Sequence, residues 1–186
     1  MKRIFVILFV LMAVVLPLFA QSVVEKKDLS YYPSKSNYVQ LNGGIDFNWQ
    51  THNGVSKRGA GFRVGASYFF QNGFDLGLDA SLMTMADSIP AKGPGVIRIS
   101  HVFGYHFPLG HQTSLRLKAG AGVEIILDNG KAEGVFTTEA GVNFNMRMTD
   151  HVALEFRGTC YVTLPEADDS GVTIAVNPGF GLAFAF

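Results

Sequence analysis

The sequence predicts an all-β protein, an eight-stranded antiparallel up-and-down transmembrane β-barrel, and three observations predict it. Apolar residues recur at every second position through eight segments, the period of a strand. Turn residues separate the segments at intervals that pair each strand with the next. Charge is confined to one of the two faces that the alternation defines, which is how a strand between lipid and a polar lumen reads.

The first segment, 38–50, sets Val39, Leu41, Gly43, Ile45, Phe47 and Trp49 against Gln40, Asn42, Gly44, Asp46 and Asn48. A polar loop, 51–59, follows. The second strand carries Phe62, Val64, Ala66, Tyr68 and Phe70 opposite Arg63, Gly65 and Ser67, and ends at Asn72-Gly73. Asn-Gly is a strong hairpin signal because both positions tolerate positive φ. The third strand opposes Phe74, Leu76, Leu78, Ala80 and Leu82 to Asp75, Gly77, Asp79 and Ser81, and runs into a longer loop, 84–95, with Pro90 and Pro94. The fourth sets Ile97, Ile99, Phe103, Tyr105 and Phe107 against Arg98, Ser100, Gly104 and His106.

Beyond a tight turn at Pro108-Leu109-Gly110, the fifth strand puts Leu115, Leu117, Ala119, Ala121, Val123 and Ile125 opposite Arg116, Lys118, Gly120, Gly122 and Glu124. Asp128-Asn129-Gly130 introduces the sixth, with Phe136, Thr138, Ala140, Val142, Phe144 and Met146 facing away from Thr137, Glu139, Gly141, Asn143 and Arg147. After Thr149-Asp150-His151, the seventh offers Val152, Leu154, Phe156, Cys160 and Val162 against Glu155, Arg157, Thr159 and Tyr161. The loop 165–170 leads to the eighth, where Phe180, Leu182, Phe184 and Phe186 oppose Gly179, Gly181, Ala183 and Ala185. Two residues strain the pattern. His101 falls on the apolar face, and Pro178 lacks a ladder donor, which predicts a bulge near Asn177-Pro178 and a phase shift upstream of it.

The charge distribution decides which face is outside. Asp46, Asp75, Asp79, Glu124, Glu139 and Glu155, with Arg63, Arg98, Arg116, Lys118, Arg147 and Arg157, share one face, and the other has no Asp, Glu, Lys or Arg. Each mid-membrane Lys or Arg exposed to lipid would cost about 2 to 4 kcal/mol. The charged face therefore points inward as an ion-pair network, and the bulky apolar face, too large for an eight-stranded lumen, points out. Tyr68, Phe70, Phe74, Tyr105, Phe107, Phe144, Phe184 and Phe186 gather at the short-turn ends as an interfacial girdle. Connections alternating long and short place the long ones outside the cell and both termini in the periplasm.

Residues 1–20 have the layout of a secretory signal peptide: Lys2 and Arg3, an apolar run over 4–15, Pro17 and a small residue at Ala20. Residues 21–36 read as a periplasmic tail and 37–186 as the barrel. Removing Lys2 and Arg3 from the 15 basic residues leaves 13 against 15 acidic ones, with no basic footprint for nucleic acid. A single cysteine excludes a disulfide framework.

Over 38–186, the strand pattern, the turn Met148-Thr149-Asp150-His151 before Val152, and the terminal Phe186 resemble the small eight-stranded outer-membrane barrels, such as the OmpA transmembrane domain, OmpX and OmpW-like proteins. The resemblance implies residence in the outer membrane of a double-enveloped bacterium, with outer-membrane lipids as partners. It also implies that Phe186 is an assembly signal for the barrel-assembly machinery. Architecture does not fix function.

Two functions stay open. A salt-bridged, largely plugged interior suits a structural or surface-interaction role, whereas a gated pore would need the same ion pairs to rearrange. Near the outer ends of five strands, however, inward positions turn apolar at Met83, Val96, Ile126, Val135 and Tyr161. They read either as a vestibule or as strand ends out of phase. The resemblance to OmpW-like proteins implies that such a vestibule admits small hydrophobic solutes as a narrow channel. Catalysis is not expected: Ser100, His101, His106, His111 and Ser114 are scattered over two rims. Neither is a metal or cofactor, since Glu166, Asp168 and Asp169 read as a solvated loop and Cys160 as a small hydrophobe.

Overall fold

A computed structural model of the chain describes residues 37–70, 73–86, 95–110, 112–128, 131–164 and 171–186. The signal peptide and tail expected over 1–36 lie outside the described residues, as do Asn72, His111, Glu166, Asp168 and Asp169.

The described residues form eight strands: β1 (Tyr38–His52), β2 (Val55–Phe69), β3 (Phe74–Ala86), β4 (Gly95–Pro108), β5 (Thr113–Asp128), β6 (Lys131–Arg147), β7 (Val152–Thr163) and β8 (Thr173–Ala185). Each pairs antiparallel with the next, and β8 returns to β1 to close the barrel. Closure removes every long sheet edge, and the strands are paired around the ring except for two positions beside Pro178.

The period of two separates inside from outside. Gln40, Asp46, Arg63, Arg98, Arg116, Glu124 and Glu155 are buried in the lumen, while Phe47, Phe62, Phe74, Leu82, Phe103 and Phe180 are exposed on the outer surface. Such a surface is stable only against an apolar medium. At the short-turn rim the aromatic belt is continuous in places: Phe74 meets Tyr105 edge to face at 4.8 Å, and Tyr105 meets Phe107 at 4.6 Å. His101 is exposed on the outer face between Leu78 and Ala121, as strict alternation requires.

Three expectations are corrected. No bulge occurs at Pro178: Cys160 pairs with Val176, Thr159 with Asn177 and Gly158 with Pro178 in one unbroken register. Pro178 faces outward, and its missing donor is absorbed on the β1 side, where the pairing runs from Asp46 with Gly179 to Trp49 with Val176 and skips the two positions between. Nor is 51–59 a long loop. β1 and β2 pair as far as His52 with Val55, and the chain reverses through Asn53 and Gly54 at φ of 46° and 82°, the positive pair that a primed turn needs.

The connection between β5 and β6 is equally brief, since Asp128 pairs with Lys131. The longer intervals between strands are those from β3 to β4 and from β7 to β8, and the strand ends that flank them, Ala86, Gly95, Thr163 and Thr173, stand on the same rim as these two hairpins.

Candidate functional site

The lumen is filled by side chains in three storeys. Nearest the short-turn rim, Arg116 on β5 clamps Asp75 on β3, with Nε donating to Oδ2 at 3.0 Å and Nη2 pairing with Oδ1. Nη2 also donates to Ser67 Oγ at 3.0 Å, and the guanidinium lies 5.5 Å from the Phe69 ring centroid.

Midway, Arg63 reaches Asp79, Glu139 at 3.4 Å and Asp46 at 3.7 Å, and donates to Thr159 Oγ1 at 3.1 Å. Lys118 Nζ bridges the same Asp79 and Glu139 at 2.7 and 2.8 Å. Arg157 pairs with Asp46 at 2.9 Å and Glu155 at 3.1 Å, and Asn143 donates to Glu155 at 3.1 Å. This storey draws on β1, β2, β3, β5, β6 and β7, so it spans the cross-section.

The third storey is one pair: Arg98 on β4 donates from Nε to Glu124 Oε2 at 2.5 Å. Its guanidinium sits 4.5 Å from the Tyr161 ring centroid, and Nη1 reaches Asn48 at 3.4 Å and the Met83 sulfur at 3.6 Å. None of the eleven charged residues in the three storeys is more than 5% exposed. At that depth desolvation offsets most of the Coulomb attraction, so the network fixes register and fills space more than it adds net stability.

Inward glycines make room for it. A Cβ at Gly44 would collide with Arg157 Nη2, and one at Gly179 with Asp46 Oδ1. Backbone and guanidinium thus occupy one niche.

Above the Arg98–Glu124 pair, on the rim with the long connections, the barrel opens into a cavity of about 450 Å³. Val96, Ile126 and Val135 line it together with Val55, Met85 and Leu164, and the rest of the lining is mostly polar: Gln50, His52, Asn53, Lys57, Glu124, Glu133, Thr163 and Thr173. Met83 and Tyr161 are buried and are not part of that lining; Met83 takes amide donors from Asn177 at 3.2 Å, and Tyr161 stacks under Arg98. Of the five apolar residues singled out by alternation, the structure brings three together around a cavity and leaves two outside its lining, with Met83 directly opposite Val96.

Arg147 is corrected. It shares the inward phase, but it lies at the short-turn rim, where Nε donates to Thr149 O at 2.9 Å and Nη2 pairs with exposed Asp150. Its position at the strand end lets it bind the turn.

Several contributors escaped the sequence. Phe69 points inward at the short-turn end, stacked on Tyr38 at 4.6 Å and edge-on to His106 at 4.6 Å. Thr163 donates to Glu124 at 3.2 Å, and Asn48 to the Met85 sulfur at 2.9 Å. Phe69 continues the phase of Arg63 and Ser67, so alternation carried one step further finds it. Met85 continues that of Met83. Ser100 and Ser114 are buried inside, His106 packs in the aromatic cap and His101 faces outward, so these side chains do not converge.

In structure, the chain is similar to neisserial surface protein A, with a TM-score of 0.66 at 15% identity over 81% of this chain and 97% of that one. The chain has the fold of the small eight-stranded outer-membrane barrels. It is similar also to Ail, the attachment invasion locus protein of Yersinia pestis, in complex with the heparin analogue sucrose octasulfate, with a TM-score of 0.53 at 16% identity over 81% and 99%. The outer membrane protein OprG from Pseudomonas aeruginosa matches with a TM-score of 0.50 at 10% identity over 82% and 97%. No family model and no curated protein sequence matches the chain.

Proposed function

We propose that the protein is an integral outer-membrane β-barrel with a structural or surface-interaction role, its lumen closed by the salt-bridged plug. The observation that carries this is the middle storey, where Arg63, Lys118 and Arg157 interlock with Asp46, Asp79, Glu139 and Glu155 across the cross-section. Paired, buried charges leave no room for a hydrated ion in an eight-stranded barrel. The outward apolar surface and aromatic belt support membrane residence, with outer-membrane lipids as solvent and terminal Phe186 presented to the assembly machinery. The dispersal of serine and histidine supports a non-enzymatic role. Single-channel recording in planar bilayers tests the plug: the expected trace is closed, and steady ohmic conductance overturns it.

The vestibule favours a second function, a narrow conduit for small hydrophobic molecules. In that function, solutes enter at Val96, Ile126 and Val135 and leave sideways above the Arg98–Glu124 pair. Ile126→Asp with Val135→Asp should abolish uptake of a hydrophobic dye by proteoliposomes while the barrel still assembles. Unchanged uptake removes the conduit.

A further inference from the structure

β2 begins at Val55, and this adds Arg58 to the outward row of Ala60, Phe62 and Val64. It is the only Asp, Glu, Lys or Arg at an outward strand position among the described residues. Between β1 and β2 the outer wall changes character rung by rung. Ile45 stands opposite Phe62 and Phe47 opposite Ala60; then comes Trp49 opposite Arg58, and last Thr51 opposite Ser56. The apolar rungs give way to polar ones at Trp49 and Arg58, which therefore mark the level where hydrocarbon meets headgroups. Trp49 is 52% exposed, and the Arg58 guanidinium lies 5.7 Å from its ring centroid.

Arg63, Arg98, Arg116 and Arg157 each pair with a carboxylate, whereas Arg58 has no ion pair among the described residues. The indole ring engages the face of the guanidinium and leaves its N–H edge free. One rung further out, Thr51 Oγ1 and Ser56 Oγ share a hydrogen bond of 3.1 Å, in which one hydroxyl donates and the other keeps its hydrogen. One rung further in, Thr84 of β3 stands opposite Ala60 and turns its hydroxyl back to Ala60 O at 3.2 Å. Donors thus lie above the guanidinium and methyl groups below it.

We infer that this rung is a binding site for one anionic lipid whose headgroup carries a phosphate monoester. The phosphate takes the N–H edge of Arg58 and the free hydroxyl of the Thr51–Ser56 pair, while an acyl chain runs down over Ala60 and Thr84 beside Phe62. A planar fork of donors matches phosphate oxygens, and at this depth a lipid phosphate is the available anion. The inference rests on the outer-membrane reading above and goes beyond it, because one lipid is held where the others only solvate.

Trp49 is the only tryptophan in the chain, so its fluorescence reports this rung alone. The test folds the full chain into phosphatidylcholine vesicles containing a minor share of lipid brominated on its acyl chains, which quenches an indole on contact. The brominated lipid is either phosphatidate or phosphatidylcholine, and both leaflets carry it, so the orientation of the barrel does not matter. Phosphatidate should quench with about fivefold higher apparent affinity, the effect of one cation on an anionic lipid at a membrane surface.

Arg58→Gln should bring the two lipids together. Lys131→Gln, which removes the same charge from the same rim on the far wall, should leave the preference intact. Excess inorganic phosphate should not displace phosphatidate, since it has no chain to lay over Ala60. Equal quenching by both lipids in the unaltered protein overturns the site and leaves the membrane barrel standing. Quenching by neither overturns the membrane reading, and the site with it. Equal loss of preference in the two variants assigns it to diffuse surface charge, and displacement by inorganic phosphate to a free-anion site; either overturns the lipid site.

Discussion

Arg98 and Glu124 stand directly opposite one another on β4 and β5, and the 2.5 Å bond between them is the outermost of the three storeys of charge, just beneath the open end of the barrel. Both side chains are excluded from solvent. Losing one therefore leaves the other as a buried, uncompensated charge. Arg98→Met should cost about 3 to 5 kcal/mol, and adding Glu124→Met should recover most of it. Urea unfolding of the folded barrel in liposomes measures both, and a double variant no better than the single one contradicts the pairing.

Two adjacent glycines give a matched pair. Gly44 faces the lumen, where a methyl would strike Arg157 and the β8 backbone, while Gly43 faces outward with its nearest neighbour, Arg63 O, at 3.8 Å. Gly44→Ala should destabilise by about 1 to 3 kcal/mol through overpacking, and Gly43→Ala should change little. Equal midpoints in the same urea titration would contradict the inward assignment of Gly44.

Moving a cation by one residue should have a large effect. Lys118 is buried inside against Asp79 and Glu139, whereas Leu117 faces outward between Tyr105 and Val142. Leu117→Arg should cost about 2 to 4 kcal/mol and deplete the compact, heat-modifiable gel species, whereas Lys118→Arg should retain it. Equal depletion reverses inside and outside.

Orientation is testable on intact cells in a Cys160→Ser background. A cysteine at Lys57, on the rim with the long connections, should label with a membrane-impermeant maleimide. One at Asp150, in the turn before β7, should not. Labelling at 150 alone turns the barrel over.

The barrel was legible in the sequence because each strand is pressed between two unlike media, and a one-residue slip would put charge in lipid. Where that constraint fades, legibility fades too. Apart from Val55, residues 51–58 are polar on both faces above the apolar belt, so β1 and β2 continue there with no periodic signal, although Asn53-Gly54 carries the same hairpin chemistry as Asn72-Gly73. The inward set was readable, but its partners were not. That Arg157 meets Asp46 and Arg116 meets Asp75 depends on the stagger of a closed barrel, which alternation within single strands does not encode. Arg147 shows the same limit: its phase is inward, yet its height along the axis leaves it at the rim.

Pro178 leaves a two-position gap in the hydrogen bonding between β1 and β8, the strands that lie furthest apart along the chain. Every other junction joins consecutive segments and can zip from its own turn, but this one must wait until the rest of the sheet has curled round. The last joint to form is therefore also the one with the fewest rungs. The closing seam is thus held at its two ends and left open in the middle, where Phe47 and Asn48 stand opposite Pro178 and Asn177.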